Sequence, residues 1–496
     1  MTNRNLHDLL IPLGINAPYK ELREMKLDSR KVLSGDLFLA IEGYQIDGRQ
    51  YISDALIKGA SAIISDVQKE KESGTIQYLH NNVPIVYIKN LKHQLSYLAG
   101  LFYQHPATQL RLIGVTGTNG KTTITQLIAQ WAQAMGEVSG VIGTLGNGML
   151  EQLIHSENTT DSAVDIQYQL RLLLDNRATL VAMEISSHSL IQSRVYSIPF
   201  DAVVFTNLGY DHLDYHGNLE NYIASKWLLF STHKSDKQII NVDDNIGLQW
   251  LNRLPNSCAV SIKNRIPNNW KGYWISVDKV NYHDYKTTIS FNSIWGTGIL
   301  KSPLIGSFNV SNIMLAMATL LMMGYPLNLV IKSSYYLKPI CGRMEIFTSF
   351  GQPTVIVDYA HNPNALKKAL IALRFHCRSK LWCVFGCGGD RDKTKRSLMG
   401  RIAEQYADVV ILTDDNPRSE KSKVIMHDIL SGFINSDRTI LIASRMEAIT
   451  NAILHANADD IILISGKGHE RYQIIGNNKL NYSDQLTVAK LLGIIK

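Results

Sequence analysis

The order of apolar and polar positions along the chain predicts strands that alternate with helices. From Leu112 onward, the apolar runs VAMEIS, DAVVFTNL and QIINVD predict buried strands, and stretches with helical spacing separate them. A second series begins near residue 340, where TVIVDYA, LWCVFGCGG, DVVILTDDNP and DIILISGKG each place an apolar strand before a loop of Gly, Asp or Asn. This alternation is typical of mainly parallel sheets, in which ligands bind beyond the carboxyl ends of the strands.

Other regions of the chain predict further elements. In the first hundred residues, GDLFLAI, SAIIS and VPIVYI predict strands, and YISDALIKG and LKHQLSYLAGLFY predict helices. The polar connector HPATQLR contains a proline and marks a boundary. Residues 266–300 alternate and are rich in aromatic and β-branched residues, which predicts an antiparallel excursion. Residues 313–323 predict a core helix with Ser311 as its N-cap and Gly324 just past its end.

The composition is that of a soluble globular protein. The chain has 496 residues, of which 45% are hydrophobic and 19% charged. At roughly 100–200 residues per domain, two to four domains are expected. The start of the chain lacks the pattern of a secretory signal, and the longest apolar stretch is too short to span a bilayer, so we expect no membrane insertion. Five thinly spread cysteines favour a reducing cytoplasm.

Charge and cysteine positions raise two further interpretations. The net charge of +7 suits anionic substrates, but the densest basic run, residues 390–396, has no interleaved aromatic residues, so we expect no nucleic-acid binding. Cys377, Cys383 and Cys387 lie near His376 in the sequence, which leaves a zinc site and packed cysteines as alternatives. Cys383 lies inside the apolar run LWCVF, which favours packing.

The stretch IGVTGTNGKTT, residues 113–123, resembles a phosphate-binding loop with altered spacing. The common motif is G-x-x-x-x-G-K-[ST], but here the position six before Lys121 is Val115, and glycines occupy positions 114, 117 and 120. A strand, a glycine loop and a helix still follow in register, so backbone N–H groups would face an anion. Lys121 supplies a point charge, and the Thr122 hydroxyl can bind Mg²⁺. The alternative is a structural glycine turn.

Two later loops carry candidate metal ligands. Glu184 ends a predicted strand in MEISSH, and the segment TNLGYDHLDYHG contains Asp211, His212, Asp214 and His216. Taken singly, each is more often a surface or capping residue. Glu184 and His212 become candidates for completing Mg²⁺ coordination because their loops follow strands of the sheet that also carries the glycine loop.

Ten short motifs together resemble the Mur ligases, the ATP-dependent amino-acid ligases of peptidoglycan synthesis. The likeness covers essentially the whole chain, and it is strongest for the branch that adds the third residue of the peptide. The motifs, in order, are GTNGKTT, ENTT, MEISSH, TNLGYDHLDYH, GSFNVSN, GRME, DYAHNP, GCGGDRD, DNPR and GKGHE.

The resemblance implies a three-domain α/β fold and a reaction. A smaller N-terminal α/β domain (1–107) would bind the UDP-sugar, a central P-loop-type domain with a mainly parallel sheet (108–338) would bind ATP, and a C-terminal Rossmann-like domain (339–496) would bind the amino acid. The reaction would add meso-2,6-diaminopimelate to UDP-N-acetylmuramoyl-L-alanyl-D-glutamate through an acyl phosphate. A cytoplasmic monomer that uses ATP and Mg²⁺, and that serves cell shape and cell division, is the implied form.

The resemblance also implies roles for single residues. Nucleotide contacts fall on Gly117, Thr118, Asn119, Gly120, Lys121, Thr122, Thr123, Asn309, Arg343 and Asp358. Contacts to the UDP-sugar and its dipeptide fall on Leu27, Ser29, Tyr44, Gln45, Ile46, Asn158, Thr159, Thr160, Ser186, Gln192 and Arg194. Diaminopimelate contacts fall on Arg391, Asp415, Asn416, Pro417, Arg418, Gly466 and Glu470. The implied metal ligands are Thr122, Glu184, His212 and Lys226, and the implied catalytic residues are Lys121, Lys226 and His212.

Two of these residues have a second interpretation. Without the resemblance, Lys226 is a surface lysine whose stem packs and whose charge reaches water. With it, Lys226 is carbamylated, which turns the cation into an anion that can approach magnesium. Arg418 offers a planar fork that can bind the distal carboxylate of diaminopimelate, while Asp415 and Asn416 accept from the distal ammonium. The alternative is a turn with one exposed arginine.

Two rival functions stay open at this point. One is another enzyme of the same superfamily, such as a folylpolyglutamate synthase, although LDSRK and DNPR argue against it. The other is a nucleotide-dependent regulatory protein without ligase turnover, against which the complete set of candidate metal and amino-acid ligands argues.

Overall fold

A computed structural model describes residues 4–43, 46–156, 158–233, 235–283, 285–437 and 439–495. The N-terminal segment contains five strands and three helices within those residues. The strands are β1 (Met25–Lys26), β2 (Leu37–Ala40), β3 (Ala62–Val67), β4 (Ile76–Tyr78) and β5 (Pro84–Lys89). The helices are α1 (Leu6–Leu10), α2 (Ile52–Ile57) and α3 (Leu91–Phe102). The strands and helices predicted for the first hundred residues are therefore confirmed.

The middle of the chain is the longest α/β segment. Its strands are β6 (Arg111–Thr116), β7 (Ser139–Gly143), β8 (Gly146–Met149), β9 (Gln152–Ile154), β10 (Leu180–Glu184), β11 (Ala202–Phe205), β12 (Lys237–Asn241), β13 (Cys258–Ser261), β14 (Tyr273–His283), β15 (Lys286–Ser293) and β16 (Gly296–Ser302). Its helices are α4 (Lys121–Ala134), α5 (Ala163–Asp175), α6 (Ser187–Ile191), α7 (Leu213–His216), α8 (Leu219–Ser231), α9 (Asn245–Leu251), α10 (Ser307–Met322) and α11 (Leu327–Ser333).

The C-terminal segment repeats the alternation. Its strands are β17 (Glu345–Phe347), β18 (Thr354–Asp358), β19 (Leu381–Phe385), β20 (Val409–Leu412), β21 (Thr439–Leu441), β22 (Ile461–Ser465), β23 (Tyr472–Ile475) and β24 (Asn478–Asn481). Its helices are α12 (Pro363–Arg374), α13 (Thr394–Tyr406), α14 (Ser422–Leu430), α15 (Arg445–His455) and α16 (Asp484–Leu491). None of the helices in the described parts of the chain is long and apolar enough to cross a membrane.

The described residues fall into two compact units, each built from separate stretches of chain. The first contains residues up to 116, together with those from 136 to 203 and from 222 to 236. The second contains residues 117–135 and 204–221 and those from 237 onward. The boundaries after residues 107 and 338 stay predictions.

The first unit holds a five-stranded sheet in the order β1-β2-β3-β5-β4, parallel except for β4. Successive residues of its strands enter opposite cores, since Leu37 and Leu39 pack with α3 while Phe38 and Ala40 pack with α2. The same unit contains strands in the order β6-β10-β7-β8-β9, where β10 pairs in parallel with both β6 and β7. These pairings place Glu184 opposite Val115 at the carboxyl ends of β10 and β6.

The second unit begins its strands with β12, β13 and β14 in parallel, and continues antiparallel through β15 and β16. The antiparallel excursion predicted for residues 266–300 is confirmed. The predicted N-cap of the core helix is wrong, because α10 begins at Ser307 with Gly306 as its N-cap. Ser311 instead lies inside the helix. The sequence pattern placed the helix start too late because Asn309 and Asn312 are polar although they are buried, and they interrupt the apolar pattern over the first turns.

The C-terminal sheet has the order β17-β18-β22-β19-β20-β21 and is parallel apart from β17. Its four central strands are buried on both faces, as in a doubly wound sheet, and α12, α13 and α14 cover one face while α15 and α16 cover the other. Cys383 and Cys387 lie in the core between the sheet and helices α12, α13 and α14. Burial there raises the pKa of the Cys387 thiol to about 12. The packed-cysteine interpretation is confirmed for both.

Candidate active site

The glycine loop lies between β6 and α4 and approaches its neighbours too closely for side chains. Gly117 has a φ of +148°, and a methyl group on it would overlap Thr206 Oγ1. Gly120, with a φ of +89°, is the N-cap of α4, and a methyl group there would lie 2.5 Å from Asn312 Oδ1. The loop therefore needs residues without Cβ atoms, as a backbone cradle for phosphate does.

Hydrogen bonds hold the loop against the segment that follows β11. Thr118 N donates to Asn207 O at 2.8 Å, and Asn207 Nδ2 donates to Asn119 O at 3.0 Å. Thr206 Oγ1 also donates to Asn119 O, at 2.6 Å, and Gly209 N donates to Thr118 Oγ1 at 2.8 Å. These contacts fix the loop in one conformation, which lowers the entropic cost of binding a phosphate chain.

Lys121 and Thr122 open α4 beside this loop. Lys121 Nζ donates to Gly117 O at 2.8 Å and to Thr118 O at 3.0 Å, so the ammonium lies over the cradle. The buried Thr122 hydroxyl accepts from Arg343 Nη2 at 3.2 Å. Three residues expected to contact the nucleotide are thus brought together.

Arg343 is supported by the segment that follows it. Its guanidinium lies 4.1 Å from the centre of the Tyr359 ring, a cation–π contact. Asp358 is buried and accepts from Met344 N at 2.8 Å and Ala360 N at 2.9 Å, which joins the residues after Arg343 to the end of β18. Burial raises the pKa of Asp358, and the Arg343 charge opposes that rise.

Asn309 contacts the loop through another residue. Its Nδ2 donates to Ile305 O at 2.9 Å, and its Oδ1 accepts from Asn312 Nδ2 at 3.1 Å. Asn312, which the sequence reasoning missed, is the residue whose Oδ1 faces Gly120. A polar residue one helical turn after Asn309 was the available signal.

A group of charged side chains surrounds Asp211 in the second unit. His212 Nε2 lies 3.9 Å from Asp211 Oδ2, and Lys395 Nζ donates to His361 O at 2.9 Å. Burial would raise the pKa of Asp211, but the charges of Lys395 and Lys121, together with those of His212 and His361 when these rings are protonated, hold it below its usual value. Burial also lowers the pKa of His361, which favours a neutral ring. His361 lies within the DYAHNP motif and Lys395 within the basic run of residues 390–396, but the sequence analysis gave neither of them a role.

In the first unit, Glu184 is almost fully buried at the end of β10. Its Oε1 accepts from Thr144 N at 2.8 Å, and its Oε2 accepts from Thr144 Oγ1 at 3.1 Å. Its backbone carbonyl accepts from Thr160 Oγ1 at 2.8 Å, and that hydroxyl in turn accepts from Ser186 N at 3.1 Å. The candidate metal ligand is thus held by residues expected to contact the peptide substrate.

Arg194 extends this arrangement. It donates to Thr160 O at 2.6 Å and to Gln192 Oε1 at 2.7 and 3.0 Å. Thr159 Oγ1 accepts from Thr144 Oγ1 at 3.1 Å, while Asn158 is exposed. Five residues predicted for the peptide side therefore form one hydrogen-bonded group with Glu184: Thr159, Thr160, Ser186, Gln192 and Arg194. Thr144 belongs to the same group and was missed, because no motif marks it.

Lys226 is buried in the first unit, with 1% of its surface exposed. Its Nζ lies 4.4 Å from the centre of the Tyr222 ring. The interpretation of Lys226 as a surface lysine is therefore wrong, because its ammonium does not reach water.

The residues expected at the uridine end lie in the N-terminal segment. Leu27 packs against the core of the five-stranded sheet, and Ser29 is buried. Ile46 is exposed, with 62% of its surface in contact with solvent, as a ligand contact requires. Tyr44 and Gln45 lie outside the described residues.

Two strand-end loops of the C-terminal sheet bring the predicted diaminopimelate contacts together. Arg418, with a φ of +52°, donates from Nη1 to Gly389 O at 2.8 Å. A methyl group on Gly389 would overlap Pro417 O, so the loop after β19 and the loop after β20 touch through their backbones. Arg391 is exposed on the first loop, and its Cγ lies 3.5 Å from the position of a methyl group on Gly388.

The loop after β22 completes this group. A methyl group on Gly466 would lie 2.6 Å from Asp415 Oδ2, and Asn416 Nδ2 donates to Glu470 Oε2 at 3.0 Å. Lys467 links Asn416 and Glu470, and the sequence reasoning missed it. The signal was present, since Lys467 lies between two glycines directly after a buried strand.

Two residues expected to hold magnesium, each considered within its own unit, carry buried oxygen donors. The Thr122 hydroxyl in the second unit and the Glu184 carboxylate in the first are both buried, and oxygen is the donor that Mg²⁺ prefers. Within the described ranges, no three or more His, Cys, Asp or Glu side chains are grouped as a metal site. The described residues around Cys377, Cys383 and Cys387 therefore do not form a zinc ligand set.

Three family models match the chain in sequence order. They are the Mur ligase family, catalytic domain at residues 21–103, the Mur ligase middle domain at residues 115–320, and the Mur ligase, glutamate ligase domain at residues 342–468. The glycine loop lies in the second match, and the DNPR loop lies in the third.

Solved structures agree with these matches. A UDP-N-acetylmuramoyl-L-alanyl-D-glutamate–2,6-diaminopimelate ligase is 32% identical, with 99% of both chains covered and a TM-score of 0.68. The MurF ligase from Thermotoga maritima in complex with ADP is 19% identical, with 89% of this chain and 93% of that chain covered and a TM-score of 0.63. Folylpolyglutamate synthase from Mycobacterium tuberculosis is 16% identical, with 75% and 92% covered and a TM-score of 0.61. The last two show the shared fold alone.

The family matches, together with the whole-chain likeness to a ligase at 32% identity, show an ATP-dependent, ADP-forming peptide ligase with a multidomain α/β fold. The chain belongs to the Mur ligase family. The predicted α/β fold class and the family resemblance are confirmed.

Replacing Gly117 by alanine tests the glycine loop. The methyl group overlaps Thr206 Oγ1, so the loop must shift, and a shift of about 1 Å costs roughly 10²-fold in rate. We expect kcat/KM for ATP to fall by at least about that factor in steady-state assays. Gly136→Ala is the matched control, because Gly136 also has a positive φ but no atom lies within 4 Å of its added methyl group. Equal losses in both variants would contradict the proposed role.

Proposed function

We propose that this Mur ligase adds meso-2,6-diaminopimelate to UDP-N-acetylmuramoyl-L-alanyl-D-glutamate, with hydrolysis of ATP to ADP and phosphate. The observation that carries the proposal is the joined pair of strand-end loops containing Arg418, Asn416 and Glu470, in a chain that resembles a diaminopimelate ligase along its whole length. A cation fork and a carboxylate at one site suit an amino acid whose far end carries both charges.

In the first step, a carboxylate oxygen of the D-glutamate residue attacks the γ-phosphorus of ATP. A P–O bond forms, the bond to the β-phosphate oxygen breaks, and ADP leaves an acyl phosphate behind. The transferring group carries dense negative charge, so positioning and charge stabilisation supply most of the catalysis. Lys121 and the N–H groups of the first turn of α4 bind phosphate oxygens, and Arg343 adds a third source of positive charge.

In the second step, the amine of diaminopimelate attacks the acyl carbon. The C–N bond forms, phosphate leaves with the former carboxylate oxygen, and the amine loses a proton. The loops around Arg418 and Glu470 hold the far end of the amino acid, so that its reacting amine is presented in a fixed orientation.

Magnesium would be held by the Thr122 hydroxyl and the Glu184 carboxylate, with His212 and carbamylated Lys226 as further contacts. The ion supplies charge neutralisation at the phosphates when bound. Burial penalises an uncompensated ammonium and an uncompensated carbamate alike, so the carbamylation of Lys226 is supported by the magnesium ion that a carbamate would face and not by burial alone. The lysine lies against the face of Tyr222, which orients its stem.

Selection of the amino acid would depend on Arg418. Diaminopimelate differs from lysine by a second carboxylate beside its distal ammonium, and the guanidinium can bind that carboxylate with two hydrogen bonds. Each charge-assisted bond contributes roughly 1.5–3 kcal/mol. With lysine bound, the guanidinium would lose this partner, and discrimination of about 10⁴ is within reach.

The thinly spread cysteines, which are unpaired in this structure, support a reducing location, and we place the enzyme in the cytoplasm as a monomer. Its place in peptidoglycan synthesis links it to cell shape and cell division.

A product assay tests the function directly. The purified protein is incubated with ATP, Mg²⁺, the UDP-muramyl dipeptide and either diaminopimelate or lysine, and the product is weighed by mass spectrometry. We expect the mass of the dipeptide plus diaminopimelate minus water, and phosphate release that requires both substrates. ATP cleavage without a joined amino acid would overturn the proposal.

Arg418→Ala tests the selection of the amino acid. We expect kcat/KM for diaminopimelate to fall by about 10²-fold or more, because two charge-assisted bonds are lost, while KM for ATP stays near that of the wild type. Arg401→Ala, on the exposed side of α13, serves as the control. If Arg418→Ala keeps the wild-type preference for diaminopimelate over lysine, the assignment is wrong.

Lys226→Ala tests the carbamate. We expect the rate of product formation to fall by about 10²-fold or more, because a charged group at the reacting phosphates is removed. Added formate or acetate enters the space beside Tyr222 and restores part of the activity, whereas it does not stimulate the wild type. The exposed Lys279→Ala shows neither loss nor rescue. Failure of every short carboxylate to rescue would count against carbamylation.

A further inference from the structure

Lys467 is a fully buried lysine that joins two loops of the amino-acid site. None of its surface is exposed. Its Nζ donates to Asn416 Oδ1 at 3.0 Å, on the loop after β20, and to Glu470 Oε2 at 2.8 Å, on the loop after β22. It also lies 5.5 Å from the centre of the Tyr472 ring, within the range of a cation–π contact. Three favourable contacts explain how this charge is held out of water.

These contacts give the Asn416 side chain one orientation. Its Oδ1 accepts from both Lys467 Nζ and Ile474 N, each at 3.0 Å, and its Nδ2 donates to Glu470 Oε2 at 3.0 Å. Turning the amide over would place its NH₂ group against two donors and its oxygen against a carboxylate. Lys467 thereby determines which polar atoms of Asn416 remain for a ligand.

The same contacts orient Glu470. Lys467 and Asn416 both bond to Oε2, which fixes the carboxylate plane on a residue whose side chain keeps 17% of its surface exposed. Both of these hydrogen bonds end on Oε2, which leaves Oε1 as the oxygen that we expect to accept from a ligand. An ammonium that binds there lies close to the Lys467 charge.

We propose that Lys467 positions Asn416 and Glu470 and, through its positive charge, selects against amino acids whose far end is only a cation. This proposal rests on the proposed function. A distal ammonium paired with a carboxylate has no net charge, so the Lys467 charge affects its binding little. A distal ammonium alone carries a net positive charge and is repelled by Lys467. Arg418 strengthens the binding of a ligand with a distal carboxylate, whereas Lys467 weakens the binding of a ligand whose distal ammonium has no carboxylate beside it.

The two parts of this role have different kinetic signatures. Loss of positioning weakens every amino acid, and therefore raises KM for diaminopimelate and lysine together. Loss of the positive charge favours lysine relative to diaminopimelate, so it changes the ratio of their kcat/KM values. A unit charge at about 5 Å, at the effective dielectric of about 20 that suits a buried site, corresponds to a change of roughly a hundredfold or more in that ratio.

Lys467→Met in the full-length enzyme tests the proposal, because methionine keeps the length of the side chain without its charge. We expect KM for diaminopimelate to rise about tenfold and its preference over lysine to fall by about a hundredfold or more. Acyl phosphate formation needs no amino acid, so trapping with hydroxylamine as the hydroxamate should proceed at the wild-type rate. Lys467→Arg keeps the charge, and we expect it to keep the preference even where its larger side chain raises KM.

Lys479→Met is the matched control, because Lys479 lies 4.3 Å from the same Tyr472 ring but is exposed on β24. It should behave as the wild type in both assays. A Lys467→Met enzyme with wild-type KM and preference would overturn the proposal, and so would a parallel loss of hydroxamate formation, which indicates a merely structural role. Failure of the wild-type enzyme to join any amino acid would instead overturn the proposed function.

Discussion

Close contact between loop backbones at the carboxyl ends of parallel strands is the constraint on which the candidate site depends. At Gly117 the phosphate loop lies directly against Thr206, and at Gly389 the loop after β19 lies directly against Pro417. Neither position has room for a Cβ atom. These contacts hold in place the loops from which Lys121 and Arg418 extend. Loops fixed in this way position their side chains before any ligand binds, and a reaction governed by positioning depends on that.

Charges that support the amino-acid site are buried as hydrogen-bonded pairs. Arg445 and Asp484 are both fully buried and joined by two bonds of 2.8 Å. The same guanidinium donates to Ser465 O at 2.9 Å and to Asp414 O at 3.3 Å, the residues from which the GKGHE and DNPR loops depart. A buried pair of this kind adds little net stability, but removing one partner would leave an uncompensated charge. The Arg445–Asp484 pair fixes the distance between the two loops that are proposed to bind the amino acid.

The sequence predicted most of the fold because its strands are short apolar runs that end in Gly, Asp or Asn. The prediction of the start of α10 was wrong because Asn309 and Asn312 are buried polar residues that break the apolar pattern, and Asn312 lies against Gly120 of the phosphate loop. Motifs marked Lys121, Arg343 and Arg418 as candidate site residues, but Lys467 lies in the GKGHE motif and was still missed. Thr144 and Lys467 escaped because their importance comes from what they touch in three dimensions, and Lys226 looked like a surface residue because helical spacing gives no measure of how deep a face is buried.

Selectivity at such a site follows from differences between ligands, not from the total strength of binding. Arg418 and Lys467 are both cations, yet one donates to Gly389 O beside the exposed Arg391, while the other is fully enclosed and already compensated by Glu470. An incompletely paired guanidinium gains when a carboxylate arrives. The Lys467 ammonium is already paired with Glu470 and therefore forms no new favourable contact with a ligand. Its charge raises the free energy of binding for ligands that bring an extra positive charge. Attraction of the distal carboxylate by Arg418 and repulsion of an unpaired ammonium by Lys467 act together only if both cations are held in place. The hydrogen bond from Arg418 to Gly389 O holds the first, and the hydrogen bonds among Asn416, Glu470 and Lys467 hold the second.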